Sequence, residues 1–151
     1  MTEARNTVTV QAITSFTGKY RWLSNFFPSS IEYEGQRYPT IEHAYQAAKT
    51  SDPSERAEIL STMQPAIAKR IGRRVTLKTD WYKARLSIME QLLRLKFVPS
   101  SLFGDMLLST GNAILIEGNY WGDTFWGVCR NKGHNHLGKI LMHIRDDLRC
   151  K

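Results

Sequence analysis

Glu42, Gln46 and Lys49 bring an acid, an amide and an amine into one short segment, TIEHAYQAAK (residues 40–49). At 100° per residue they fall in a narrow polar stripe, while Ile41, Ala44, Tyr45 and Ala48 share a face that meets the core. Seven residues separate Glu42 from Lys49, about 10 Å along a helix axis. That is beyond the i,i+4 reach of a surface ion pair, and it leaves room for a sugar-sized group between carboxylate and amine. Alone, such a stripe is the ordinary pattern of a solvated helix face.

Two loops set it apart. Tyr20-Arg21-Trp22-Leu23-Ser24-Asn25-Phe26-Phe27-Pro28 interleaves four large aromatics with Arg, Ser and Asn, and the run from Glu117 to Gly127 does the same with two carboxylates, Glu117 and Asp123. Aromatics in Gly-rich turns are costly to leave in water and offer flat surfaces on which a base can stack. Each ring taken singly could equally plug the core beneath a long loop.

The elements that must position these residues can be read from caps and periodicity. VTVQAIT (8–14) has the β-branched content of a strand, and Phe16–Ser30 reads as a loop. Ile31–Glu34 and Gln36–Tyr38 flank Gly35 as the arms of a hairpin closed by Pro39. Thr40 is the expected N-cap of a helix to about Lys49. Asp52-Pro53-Ser54-Glu55 has the order cap, proline, acid three residues on, and opens another. A third helix runs from Pro65 to Ile71. The longest begins near Thr79 or Asp80 and ends before Pro99, with Trp81, Ala84, Ile88, Leu92 and Leu95 as its apolar stripe and Lys83, Ser87, Glu90 and Arg94 facing away. Ser100–Ser109 is a helix, Ala113–Ile116 a short strand, and 134–149 a closing amphipathic helix. The pattern predicts a single helix-rich α+β domain with a few short strands spanning the chain.

Bulk properties agree. At 151 residues, 42% hydrophobic and 23% charged, the chain is of ordinary globular composition and can bury a core without disulfides or metal. No apolar run is long enough to span a bilayer, and MTEARNTVTV lacks the apolar core of a secretory signal. With two well-separated cysteines, Cys129 and Cys150, these features predict a cytoplasmic protein without membrane association. The formal charge of +7 favours an anionic partner, either a phosphorylated small molecule or nucleic acid, and selects neither; the plain alternative is a basic protein with no anionic ligand. Lys19, Arg21, Arg73, Arg74 and Arg85 are candidates for phosphate contact. The run Lys69-Arg70-Ile71-Gly72-Arg73-Arg74 either tracks a nucleic-acid backbone or is the basic end of a helix. Cys129, His134 and His136 match no full ligand set, so no metal is expected.

Together YRWLSNFFPS, YPTIEHAYQAAK, the long helix of Trp81 and EGNYWGDTFWGV, in that order, resemble the YbiA-like (NADAR) family of N-glycosidases from about residue 14 to 149. The resemblance implies cofactor-free hydrolysis of the bond between ribose C1 and a base nitrogen. The substrates it implies are ADP-ribose on guanine bases of nucleic acid and the phosphoribosylamino-pyrimidine intermediates of riboflavin synthesis, so the expected partner is a ribosyl-phosphate or ADP-ribosyl compound, with nucleic acid as a modified substrate. It also implies Lys49 as a nucleophile forming a Schiff base at C1, a step that needs burial to free the amine.

Glu42, Glu117 and Asp123 are the carboxylates available for an oxocarbenium-like transition state. Glu42 is expected to shuttle the proton and Asp123 or Glu117 to orient ribose hydroxyls. Trp22, Trp81 or Trp126 would stack on the base, with Arg21, Ser24, Asn25, Phe26, Tyr45, Gln46 and Gly127 completing the binding set. Two other readings fit the same residues. One is attack on C1 by water between two carboxylates, with Lys49 as an anchor; the other is a non-catalytic module that stacks nucleotides or single-stranded nucleic acid.

Overall fold

A computed structural model describes residues 11–151. Residues 8–10 of the expected first strand lie outside that range, and the described part of it is β1, Ala12–Ile13. The expected loop before the hairpin contains a 3₁₀ turn at Gly18–Leu23. The hairpin forms as β2 (Ile31–Tyr33) and β3 (Gln36–Tyr38), antiparallel, with Glu34 and Gly35 both at positive φ in its two-residue turn, the geometry that such tight turns demand.

Among the described residues six helices follow the expected order: α1 Ile41–Ala48, α2 Pro53–Leu60, α3 Pro65–Gly72, α4 Trp81–Lys96, α5 Leu102–Ser109 and α6 His136–Arg149. Their starts are chemically specified. The Thr40 side chain accepts from the His43 backbone N–H at 3.1 Å, Asp52 from Ser54 at 2.8 Å and Ser101 from Gly104 at 3.1 Å, each satisfying an orphan donor of a first turn. Glu55 does not fold back on Asp52 to complete a capping box. Its carboxylate takes the Thr76 N–H at 2.9 Å and the Thr50 hydroxyl at 2.5 Å, tying α2 to the segment that leads into α4.

β4 (Ile114–Leu115) pairs parallel with β1, and β5 (Gly118–Asn119) parallel with β6 (Val128–Cys129). The β5–β6 pair was not foreseen, because each strand is only two residues long. The result is the helix-rich α+β architecture that the sequence predicts. Among the described residues no helix is long and apolar enough to cross a membrane.

Helix α1 sits at the centre, against α2, α3 and α4, and all eight of its residues are buried. The wheel divided it into a core face and a water face; enclosure by three neighbours removes the second. Helix α4 departs from expectation at its C-terminal end. Trp81, Met89, Leu92, Leu93 and Lys96 are buried, whereas Leu95 is 42% exposed. Because α4 also packs on α6 and β2, its buried face turns away from a single stripe. Arg94, expected to face solvent, bridges Glu90 at 2.8 Å and Asp147 of α6 at 2.6 Å.

Candidate active site

Above α1 lies a cleft of about 820 Å³, floored by α1 and walled by α3, α4, the aromatic segment around Asn25 and the Glu117–Trp126 loop. Glu42, Tyr45, Gln46 and Lys49 all line it. Gln46 Nε2 donates to Glu42 Oε1 at 2.7 Å, a buried i,i+4 hydrogen bond that fixes the carboxylate rotamer. The Glu42 backbone N–H donates to the carbonyl of Asn25 at 3.1 Å, which ties the aromatic segment to the first turn of α1. Gly72 explains how α3 comes so near: a Cβ there would collide with the Gln46 side chain. That approach brings Lys69 and Arg73 to the cleft, where Arg85 of α4 joins them.

Electrostatics follow from enclosure. Burial pushes the Glu42 carboxyl above its ordinary value, against the lowering influence of the Gln46 hydrogen bond, Lys69 and Lys49. Burial lowers the Lys49 amine; Glu42 opposes the shift, and Lys69, Arg73 and Arg85 reinforce it. Glu117 is raised to about 7, first by burial and then by the neighbouring Asp123 and Glu42. An acid that holds its proton near neutrality and an amine that loses it more readily are what proton transfer and nucleophilic attack each need.

An aromatic wall runs along one side. The Tyr45 ring lies 5.1 Å from Trp81 and 5.5 Å from Trp126, and Trp126 lies 4.8 Å from Phe125. The Arg85 guanidinium stacks 3.6 Å from the Phe125 ring centroid. At the mouth, Lys69 Nζ stands 5.8 Å from the Phe26 ring and 5.9 Å from that of Trp121, a cation between two partly exposed rings.

Asp123 and Glu117 have different surroundings. Asp123 Oδ1 accepts the backbone N–H groups of Phe125 and Trp126 at 3.1 and 2.9 Å, and Asn119 grips the Asp123 backbone at both ends. One oxygen of Asp123 is thus committed to shaping the loop. Glu117 is anchored through its backbone, its N–H to Asn135 Oδ1 at 3.0 Å and its carbonyl to Val128 N–H at 2.9 Å, which leaves its carboxyl group free. Among the described residues five buried side-chain atoms lack a hydrogen-bond partner, and four of them (Asn25 Oδ1, Gln46 Oε1, Arg85 Nε and Glu117 Oε2) belong to residues lining this cleft. Buried polar groups are seldom left unpaired without a functional reason.

Of the residues singled out from sequence, Ser24, Asn25, Phe26, Glu42, Tyr45, Gln46, Lys49, Trp81, Glu117, Asp123 and Trp126 line the cleft. Three do not. Trp22 is buried edge-on against Phe97 in the core, so it is not a base-stacking surface; the 3₁₀ turn points it inward. Arg21 is exposed beside Phe27, outside the cleft. Gly127 lies behind Glu117, where a Cβ would strike the Glu117 carbonyl; its part is to let β6 approach β5. Of the proposed phosphate contacts, Arg73 and Arg85 line the cleft and Lys19, Arg21 and Arg74 do not. Sequence reading missed Lys69 as a lining residue, along with Tyr82 and Trp121. The signal for Lys69 was its i,i+4 spacing to Arg73 around Gly72. His134 and His136 stack ring on ring at 5.2 Å, and among the described residues no cluster of three His, Cys, Asp or Glu could hold a metal ion.

Fold and site together define a helix-rich α+β protein built around an acid–amine cleft. The chain belongs to the NADAR domain family, whose model matches residues 14–149. It is 36% identical over 140 residues to N-glycosidase YbiA of Escherichia coli, covering 89% of this chain and 85% of that protein. It is 37% identical over 136 residues to an N-glycosidase of Nostoc punctiforme, with 86% of each covered. A riboflavin biosynthesis protein of Vibrio vulnificus is 36% identical over 130 residues; the match takes in 84% of this chain but only 35% of that longer protein. The NMR structure of E. coli YbiA superposes with a TM-score of 0.81 at 34% identity, covering 94% of this chain and 86% of that one.

Proposed function

We propose that this protein is a cytoplasmic N-glycosidase that hydrolyses the bond between ribose C1 and a base nitrogen, with Lys49 as the nucleophile and Glu42 and Glu117 as the proton carriers. The observation that carries the reading is the convergence of a buried carboxyl, a half-buried amine and a second carboxyl with an unpartnered oxygen in one aromatic-walled cleft. The glycosidase names of relatives that align over most of their own length support it.

A proton from the Glu42–Glu117 pair on the ring oxygen opens the ribose and makes C1 an iminium to the base; the pair is recharged by the proton that the Lys49 amine gives up once it has added. The unprotonated Lys49 amine adds to C1, and the base leaves when its nitrogen takes a proton from the Glu42–Glu117 pair. Water then adds to the Lys49 imine; the C1–N bond to the lysine breaks, returning the free amine and the sugar. Overall one water is consumed and no cofactor is required. The wall of Tyr45, Trp81 and Trp126 gives the base a stacking surface, and Lys69, Arg73 and Arg85 give the substrate's phosphates their countercharge.

For the substrate we propose ADP-ribose on guanine, a phosphoribosylamino-pyrimidine, or both. Incubation with an ADP-ribosylated guanine oligonucleotide and, separately, with the pyrimidine intermediate tests this, with Glu42→Ala as the comparison. Release of base from at least one, abolished in a folded Glu42→Ala protein, is the expected result. No release from either, with ligand binding unchanged in Glu42→Ala, would make the protein a binding module instead.

A further inference from the structure

Lys49 is the residue on which α1 ends. The helix runs to Ala48, and Lys49 keeps helical angles (φ -65°, ψ -26°) as its cap. Thr50-Ser51, which follows, has no glycine to turn the chain out of the helix. The carbonyls at this end therefore find partners outside α1. That of Lys49 accepts the Lys78 backbone N–H at 2.8 Å, and that of Thr50 accepts Arg56 Nε at 2.8 Å.

Glu55 of α2 draws these bonds into one ring. Its carboxylate accepts the Thr50 hydroxyl at 2.5 Å, the Thr76 hydroxyl at 2.9 Å and the Thr76 backbone N–H at 2.9 Å. Thr50 follows Lys49 directly and is 1% exposed. Thr76 stands two residues before Lys78, and its neighbours Val75 and Leu77 line the cleft. The path from Lys49 through Thr50, Glu55, Thr76 and Lys78 thus closes back on the Lys49 carbonyl. A carboxylate suits the junction, because the backbone N–H and both hydroxyls facing it donate.

We infer that Glu55 is a positioning residue for Lys49: by joining Thr50 to Thr76 it holds the root of the lysine in fixed relation to the cleft wall. An ammonium on a flexible four-carbon stem is placed only as well as its backbone is. Attack on C1 needs the reacting atoms about 3–3.5 Å apart, and a misplacement of about 1 Å costs on the order of 10²-fold. The effect is one of geometry. Glu42, Lys69, Arg73 and Arg85 are the charges that act on the Lys49 amine, and a change at Glu55 leaves them in place. The inference rests on the reading of Lys49 as the nucleophile.

The test is borohydride trapping in a single turnover, beside steady-state kinetics, with whichever N-ribosyl substrate the wild-type chain cleaves. Glu55→Ala should slow both adduct formation and kcat about 10²-fold, with KM little changed. Glu55→Gln still spans Thr50 and Thr76 and should recover most of the rate. Thr50→Val should slow the reaction similarly, and the double variant should be no slower than Glu55→Ala, since the two residues act through one contact. Thr50→Val keeps the carboxylate and its bonds to Thr76, so it gives the same reading if Glu55→Ala does not fold. The pH dependence of Lys49 acylation by a small reagent should match wild type in every folded variant. Adduct formation at the wild-type rate in Glu55→Ala or Thr50→Val would overturn the inference. So would losses that add in the double variant, or a Glu55→Gln chain as slow as Glu55→Ala. Those results leave Lys49 as the nucleophile, whereas a wild-type chain that cleaves substrate and traps no sugar removes that role and the inference with it.

Discussion

Gln46 Nε2 donates to Glu42 Oε1 at 2.7 Å on a helix whose eight residues are all buried. The bond favours the ionised carboxylate and so works against burial, which favours the neutral acid. Replacing Gln46 by Leu removes the donor and should raise the Glu42 value further. The limb of the pH–rate profile that reports Glu42 should then move to higher pH. A variant that loses rate with no shift of that limb would mean Gln46 contributes shape only.

Gly72 holds α3 against the same pair. Gly72→Ala should displace Gln46 and cost about 1–3 kcal/mol of stability, read by urea denaturation, with a larger proportional loss of turnover than of melting temperature. Wild-type turnover would show that Gln46 can move without disturbing Glu42.

Glu117 sits at about 7 against an ordinary 4.5. Because its folded-state value is raised, the native state binds more protons than the unfolded chain between these values, and Glu117's contribution to stability falls as pH rises from 4.5 toward 7. If its protonated form donates to the leaving base, turnover declines above about pH 7. Glu117→Gln should abolish that decline while lowering the maximum rate on the order of 10²-fold. An unchanged descending limb would assign it to another group.

How much of this was legible in the sequence depends on where the information lay. Caps such as Thr40, Asp52 and Ser101 are local, and the helices they start were readable. The stripe of Glu42, Gln46 and Lys49 was readable as a pattern, but not its burial, which depends on α2, α3 and α4 closing around it. Trp22 and Trp126 look alike as aromatics in polar loops; only the 3₁₀ turn sends one into the core. Glu117 and Asp123 were interchangeable on paper, and the hydrogen bonds of Asp123 to Phe125 and Trp126 separate them. Lys96 gave no sign in a charged helix end of being enclosed.

Lys96 is a buried cation, 3% exposed, with its amine donating to the Ser24 carbonyl at 3.0 Å among the rings of Phe27, Phe97 and Phe103. Burial lowers it to about 7 from 10.5. A lysine with a depressed value binds fewer protons folded than unfolded between these limits, so stability should rise with pH from about 7 to 10.5, by an amount on the order of 5 kcal/mol at most. Lys96→Met should flatten the rise in denaturation measured across that window. An equal rise in the variant would place its origin elsewhere.

The role of Lys49 can be tested by borohydride reduction during turnover, followed by mass analysis of the protein. The cleft's geometry and lowered amine value predict a stable sugar adduct on Lys49 in the wild-type chain and none in Lys49→Ala, which should also lose turnover. An unmodified wild-type protein, together with full activity in Lys49→Ala, would contradict the covalent mechanism.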